Sequence, residues 1–438
     1  MNIGERALLF LATNLGSVRH ILSMLLFPSQ IKKAKVTTVT VILASMFSVN
    51  SLSQASADGI TWTGQTAAST NQWRAIAYGN GLFVAVATAA TANWVMTSPD
   101  GITWTGRTTP SNNAWRAIAY GNGLFVAVST SGTGDRVMTS PDGISWTSRS
   151  SASDNNWGAI TYGNGLFVAV STSGTGDRVM TSPDGITWTS RTSASDNNWG
   201  AITYGNGLFV AVSSTGDGDR VMTSSDGITW TSRTSVANNF WLSVAHGNGL
   251  FVAVSSTGVG NRVMTSPDGI NWTSRTSAAN NAWHSITYGN GLFVSVGITG
   301  TGNRIMTSPD GINWTSRTSV ADNDWYSVTY GDGLFAVVAT GGGGHLVMTS
   351  GVIGLAARTT AAANAEAARV AAAAEAARKA KEQKELTEIL ALIPSIGELT
   401  LSLGEATKSL YSTKCVKGKT TKYVKYGAKC PKGYVKKK

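Results

Sequence analysis

Fourteen of the fifteen tryptophans in this chain fall into two series, each stepping by 42 residues. One runs Trp73, Trp115, Trp157, Trp199, Trp241, Trp283 and Trp325; the other runs Trp62, Trp104, Trp146, Trp188, Trp230, Trp272 and Trp314. Only Trp94 stands outside both. A repeat of this length is one supersecondary unit that buries its apolar face on copies of itself. In the unit opening at Asn156, the runs N-W-G-A-I-T-Y, L-F-V-A-V-S-T, R-V-M-T-S and I-T-W-T-S-R are separated by G-N-G, S-G-T-G-D and P-D-G. The runs are short, alternating or β-branched, so each reads as a strand and none as a helix. G-N-G suits a tight hairpin because Asn and Gly accept positive φ. In S-P-D-G the proline presets φ and the aspartate can bond a nearby backbone N–H. Four strands per unit predict an all-β, seven-bladed β-propeller of four-stranded antiparallel blades.

The two ends of the repeat region are fragments of one blade. The chain enters at Asp58-Gly59-Ile60-Thr61-Trp62, a fourth strand without its first three, and leaves at Val347-Met348-Thr349-Ser350, a third strand without its fourth. Pairing the fragments closes the ring through a split blade and removes two open sheet edges. The predicted domains are therefore a leader over 1–57, a propeller over 58–350, an Ala-rich helical stalk over 351–410 and a basic tail over 411–438.

The S-P-D-G-I-T-W strings, as at Ser98 to Trp104, resemble the Asp-box, or BNR, repeat of sialidase-like propellers. The resemblance recurs at Asp100, Asp142, Asp184, Asp226, Asp268 and Asp310, and in part at Asp58. It departs from the usual box in lacking the residue between Asp and Gly, so it is a likeness of repeats and not of any one enzyme. The resemblance implies a structural role for these aspartates, holding the turn between third and fourth strands while the aromatic packs.

Charge is distributed by region. No Lys lies between Lys35 and Lys379, and no Glu between Glu5 and Glu366. From Lys408 to Lys438 there are eleven lysines and no acid, which equals the formal net charge of +11. The propeller is thus near neutral, and the composition excludes nucleic-acid binding by a generally basic core. No nucleic-acid partner is expected. The tail's lysines suit anionic cell-wall polymer or lipid headgroups, or serve only as a solubilising segment; Tyr423, Tyr426 and Tyr434 among them also suit nucleic acid, a reading that export disfavours. Its two cysteines, Cys415 and Cys430, are expected to pair once exported.

Lys32, Lys33 and Lys35, the apolar run Val36 to Val49 and Ala55-Ser56-Ala57 read as an export signal, with translation starting at Met1 or Met24. The alternative is an uncleaved anchor. A secreted or cell-surface location follows from the first reading. Between disc and tail, Thr359 to Leu392 is rich in helix formers, and an apolar stripe through Ile389, Ile393, Ile396, Leu399 and Leu403 suggests a stalk, interrupted at Pro394, with self-association as a secondary reading.

Catalysis finds little support in the residues. The sialidase resemblance would imply an arginine cluster, a Tyr–Glu nucleophile pair and an acidic acid/base, and most other glycosidases use two carboxylates. The propeller has no Glu, its Asp residues recur in every blade, and no F-R-I-P entry motif is present. An active site is normally singular, whereas these blades are near copies. No cofactor or metal is expected: Asp217-Gly218-Asp219 lacks further ligands, and His246, His284 and His345 make no triad. His246 replaces a repeat tyrosine and reads as a packing variant.

Binding is the better expectation. The loops joining strand two to three, and strand four to the next blade, share one face that is dense in Asn, Asp, Ser, Thr and Arg. Candidate ligand residues are the loop arginines Arg136, Arg178, Arg220, Arg262 and Arg304, and Trp94, which takes the arginine's place in the first blade. The position after the first tryptophan varies while its scaffold stays constant: Arg74, Arg116, Gly158, Gly200, Leu242, His284 and Tyr326. Such a position either lines the rim of a central channel and sets specificity or is a tolerant position that has drifted. The reading is a non-catalytic, multivalent binder of glycans or other surface polymers; a sialidase-like hydrolase and a ligand-free structural spacer are the alternatives.

Overall fold

The computed structural model of the chain describes residues 59–350, 378, 412–425 and 427–437. The leader, Asp58 and the stalk, apart from Arg378, lie outside the described residues. Within 59–350 every helix or strand element is a strand. The first are β1 (Trp62–Gln65), β2 (Gln72–Gly79), β3 (Leu82–Ala89), β4 (Val95–Ser98) and β5 (Thr105–Arg107). β2 to β5 form an antiparallel meander, blade 1, and the same four-stranded sheet recurs in blades 2 to 6. Blade 7 holds the strands Trp325–Gly331, Leu334–Ala339 and Val347–Ser350, and its fourth strand is β1. Trp62 pairs with Ser350 and Gln65 with Val347, so the split blade predicted from the two fragments is formed. Gln65 adds a side-chain bond to Thr349 Oγ1 at 3.0 Å.

The first strand of each blade packs on the first strand of the next, from blade 1 through blade 7 and back to blade 1. These seven strands therefore line the axis. The hairpin turns behave as their residues require: Asn80 has φ 48° and Gly81 φ 71°, the paired positive values of a type I′ turn.

The core lies between blades. Val84, Val86 and Val95 on one face of blade 1 meet Trp115, Ile118, Phe125, Ala127 and Met138 of blade 2. The same pattern follows around the ring. All seven inner tryptophans are 0% exposed. A second contact runs along the axis. A Cβ placed on Gly79 would lie 2.1 Å from the Tyr120 ring; Gly121 stands likewise against Tyr162, and so on until Gly331 meets Tyr78. Each of these rings also packs on the phenylalanine across its own hairpin, as Tyr120 does on Phe125 with centroids 4.6 Å apart. His246 keeps both contacts, against Gly205 and Phe251, which is what a packing variant requires.

The tail forms a three-stranded antiparallel sheet of Ser412–Lys417, Thr420–Lys425 and Val435–Lys436. Cys415 and Cys430 are joined by a disulfide, with Cα atoms 5.6 Å apart.

Candidate functional site

The aspartates of the repeated turn from Asp100 onward bond within it. Asp100 Oδ1 accepts from the backbone N–H groups of Ile102 and Thr103 at 2.8 Å and from Ser98 Oγ at 2.9 Å. Trp104 Nε1 closes the turn on the Gly101 carbonyl at 3.0 Å. Asp142, Asp184, Asp226, Asp268 and Asp310 repeat this arrangement. The N–H groups of Thr229 and Ile228, with the Ser224 hydroxyl, hold Asp226 down at about 2. These carboxylates are turn-formers at the far end of the blades from the variable loops.

The loop arginines are engaged within the fold. Arg136 donates from Nε to Gly132 O at 2.9 Å, and from Nη1 to Thr130 O at 3.1 Å and Asn155 O at 3.0 Å. It thereby clamps its own loop to the entry of the next blade. Arg178, Arg220 and Arg304 make the same three bonds, and Arg262 makes two of them. Nearby asparagines are engaged as well: Asn113 Nδ2 donates to Asp135 O at 3.0 Å, and Asn155 Nδ2 to Asp177 O at 2.9 Å. The loop face is a belt whose polar groups largely bond one another. Trp94 is half-buried and packs on the valine–tryptophan core between blades 1 and 2.

A different picture holds at the position after each inner tryptophan. In all seven blades the strand register breaks there, between Trp73 and Ala75 in blade 1 and at equivalent points elsewhere. The skipped residue is a β-bulge, a device that re-aims a side chain away from the pleat. It lies at the loop-face end of the strand that lines the axis. Four of the seven bulge residues come together, from the contiguous arc of blades 6, 7, 1 and 2. Arg74 Nη2 lies 3.2 Å from His284 Nε2. Its guanidinium carbon stands 3.8 Å from the centroid of the Tyr326 ring. His284 meets that ring edge-on at 4.3 Å, and its Nδ1 lies 3.2 Å from the Tyr326 carbonyl oxygen. Arg116 is near enough to act electrostatically on Arg74 and His284.

The carbonyl fixes the histidine tautomer. An oxygen that only accepts requires the proton on Nδ1, so Nε2 is the acceptor for the arginine. Burial, then Arg74 and Arg116, holds His284 well below its ordinary range, so the ring is neutral. Both ring nitrogens are thus committed. Burial first, then Arg116, lowers Arg74; burial likewise lowers Arg116. Arg74 is only 7% exposed, and its Nη1 has no hydrogen-bond partner. Across the axis the bulge residues are Gly158 and Gly200, and a Cβ on Gly200 would meet nothing within 4 Å. With Leu242 the third bulge residue on that side, one side of the mouth is cationic and aromatic, and the other is aliphatic and bare at two of its three positions.

Three serines that the sequence reading passed over brace this arc. Ser243 Oγ accepts from Ile286 N at 3.1 Å, Ser285 Oγ from Val328 N at 3.2 Å, and Ser327 Oγ from Ile76 N at 3.3 Å. Each ties the innermost strand of one blade to the next. The corresponding residues in blades 1 to 4 are Ala75, Ala117, Ala159 and Ala201. That change from Ala to Ser was the available signal.

No protein-family model matches the chain, and neither does a curated protein. Solved structures do. YCF48 bound to D1 peptide is 15% identical with a TM-score of 0.52, covering 66% of this chain and 96% of its own. YCF48 from Cyanidioschyzon merolae is 13% identical, at 0.50, over 66% and 98%. Virginiamycin B lyase from Staphylococcus aureus is 12% identical, at 0.57, over 67% and 99%. At these identities the likeness concerns architecture alone: the chain shares the fold of propellers that include both a peptide-bound protein and a lyase.

Proposed function

We propose that this protein is a non-catalytic recognition propeller, exported to the cell surface or beyond, that takes a polyhydroxylated surface polymer at the axial mouth of its loop face. The observation that carries the reading is the convergence of Arg74, Arg116, His284 and Tyr326 at the bulge position, in a molecule whose turns and core contacts recur blade by blade. Sites that do specific work are singular. The repeated loop groups bond mainly to one another, which leaves one principal site with a hydroxyl-rich surround in place of many weak equivalent ones. The repeated aspartate turn supports kinship with Asp-box repeats and, as in that resemblance, is structural.

A glycan suits the mouth better than an extended peptide. A peptide strand would use the open N–H groups of the innermost strands. On the arc beside the cluster, Ile76, Ile286 and Val328 already give theirs to serines. A YCF48 structure carries a bound peptide, so peptide capture is the outcome that would redirect the reading. The lyase neighbour raises chemistry at His284. A histidine whose two nitrogens serve a carbonyl and a guanidinium is poorly placed as a general base. Export rests on the leader pattern and agrees with the tail disulfide.

The test is a glycan array probed with the full chain and with Tyr326→Ala, beside a peptide array. Binding to acidic glycans that falls at least tenfold in the variant is the expected result. Signal on peptides alone, or glycan binding unchanged by Tyr326→Ala, would defeat the proposal.

A further inference from the structure

The axial mouth contains an electrostatic imbalance. Arg74 is buried, Arg116 holds the same bulge position on the adjacent innermost strand and acts on it electrostatically, and His284 is neutral. Among the described residues neither arginine has a carboxylate in ion-pair range; the four ion pairs involve Arg136, Arg178 and Arg304 only. Taking a charge out of water without a counter-charge is strongly unfavourable. Arg74 has in addition an N–H-bearing nitrogen, Nη1, buried with no acceptor. Its contacts with His284 and with the Tyr326 face hold the guanidinium in place without neutralising it. A fold that fixes a cation this firmly and supplies no anion is preorganised for one from outside.

We infer that Arg74 and Arg116 together form a binding site for a single oxyanion, held between their guanidinium groups at the axial mouth, with His284 as the residue that positions Arg74. The planar fork of arginine matches phosphate, sulfate and carboxylate alike. The oxyanion is the charged group of an acidic sugar or a free inorganic ion. The open space at Gly200 leaves room for whatever the anion is attached to. This inference shares its residues with the glycan reading, but the two can fail separately.

The experiment measures thermal melting of the full chain in titrations of inorganic phosphate and of glucuronate, against sodium chloride at matched ionic strength and against glucose. At saturation a bound anion is expected to raise Tm by about 2–4 °C. Arg74→Met and Arg116→Met should each abolish the rise. Arg74→Met should melt no lower than the parent without anion, because it removes a charge that nothing balances. His284→Gln should weaken the response at least fivefold in apparent Kd while keeping it. If Arg74→Met does not fold, the half-buried Arg116→Met carries the test alone. A rise with phosphate and not glucuronate names the free tetrahedral ion as ligand; a rise with glucuronate names an acidic sugar. Failure of both anions, an equal rise with chloride, or a full response in Arg116→Met would overturn the inference. A blank glycan array beside a phosphate response would end the glycan reading and leave this one standing.

Discussion

Two kinds of residue decide the behaviour of this ring, those that touch the next blade and those that bond within the turn. Gly289 is of the first kind. Its missing Cβ leaves room for the Tyr330 ring, which a side chain there would meet at 2.1 Å. Gly289→Ala should therefore destabilise by about 1–3 kcal/mol through overpacking, measured by denaturant unfolding, whereas Gly123→Ala has no such neighbour within 4 Å and suffers only from its positive φ. The serine braces likewise join the innermost strands of adjacent blades. Ser285→Ala leaves the Val328 N–H without that acceptor and should cost about 0.5–1.5 kcal/mol, while Ala201→Ser, which recreates the arrangement toward Val244, should be neutral or mildly stabilising in the same assay. An Ala201→Ser variant clearly less stable than the parent would show that the braces are incidental.

At the scale of elements, β1 is the informative strand. It joins blade 7 although almost the whole propeller separates it from its partner in sequence. Trp62 is 9% exposed, as is Trp104, and its indole bonds Gly59 O at 3.1 Å, the same contact that Trp104 makes with Gly101. Trp62→Ala should therefore cost about as much as Trp104→Ala, in the range of about 3–5 kcal/mol for a buried aromatic. It should also expose the 347–350 strand to limited proteolysis, since that strand would lose its outer neighbour. If Trp62→Ala melted with the parent, β1 would be a dispensable edge. The tail sheet is tied by its own covalent link. Reduction of Cys415–Cys430 removes a constraint worth about 3 kcal/mol for a loop of this size and should unfold the tail while the propeller transition stays unchanged.

At the scale of the whole molecule, the groups with altered titration give stability two stages in acid. His284, with His246, is held below the ordinary 6.5 by burial. The unfolded chain binds protons that the folded rings refuse, so this contribution is complete above pH 6.5 and declines as pH falls below it. The turn aspartates then follow. Asp226 stands at about 2 against an ordinary 3.8, and Asp268 and Asp310 are held low as well. Their contribution is present above pH 3.8 and is lost as pH falls through the folded-state value. Unfolding midpoints measured from pH 8 to pH 2 should fall gently and then steeply. His284→Gln should flatten the first stage, and Asp226→Asn should reduce the second; a first stage unchanged by His284→Gln would show that the ring is not the buried neutral group described here.

Most of this architecture was legible in one dimension because a 42-residue period leaves little freedom. Periodic tryptophans, G-N-G and S-P-D-G specify strands and turns through local chemistry, and the two end fragments specify closure through the need to hide sheet edges. The site was less legible. The variable position stood out, but a string of residues does not say that the chain bulges there, nor that blades 6, 7, 1 and 2 bring Arg74, Arg116, His284 and Tyr326 to one place. The loop arginines looked equally eligible, and only their partners show that they hold the belt together. The difference has one physical origin. Secondary structure and blade number follow from contacts between near neighbours and from identical copies, which sequence records directly, whereas the meeting of four unlike side chains depends on circular closure, a long-range constraint that exists only once the ring is folded.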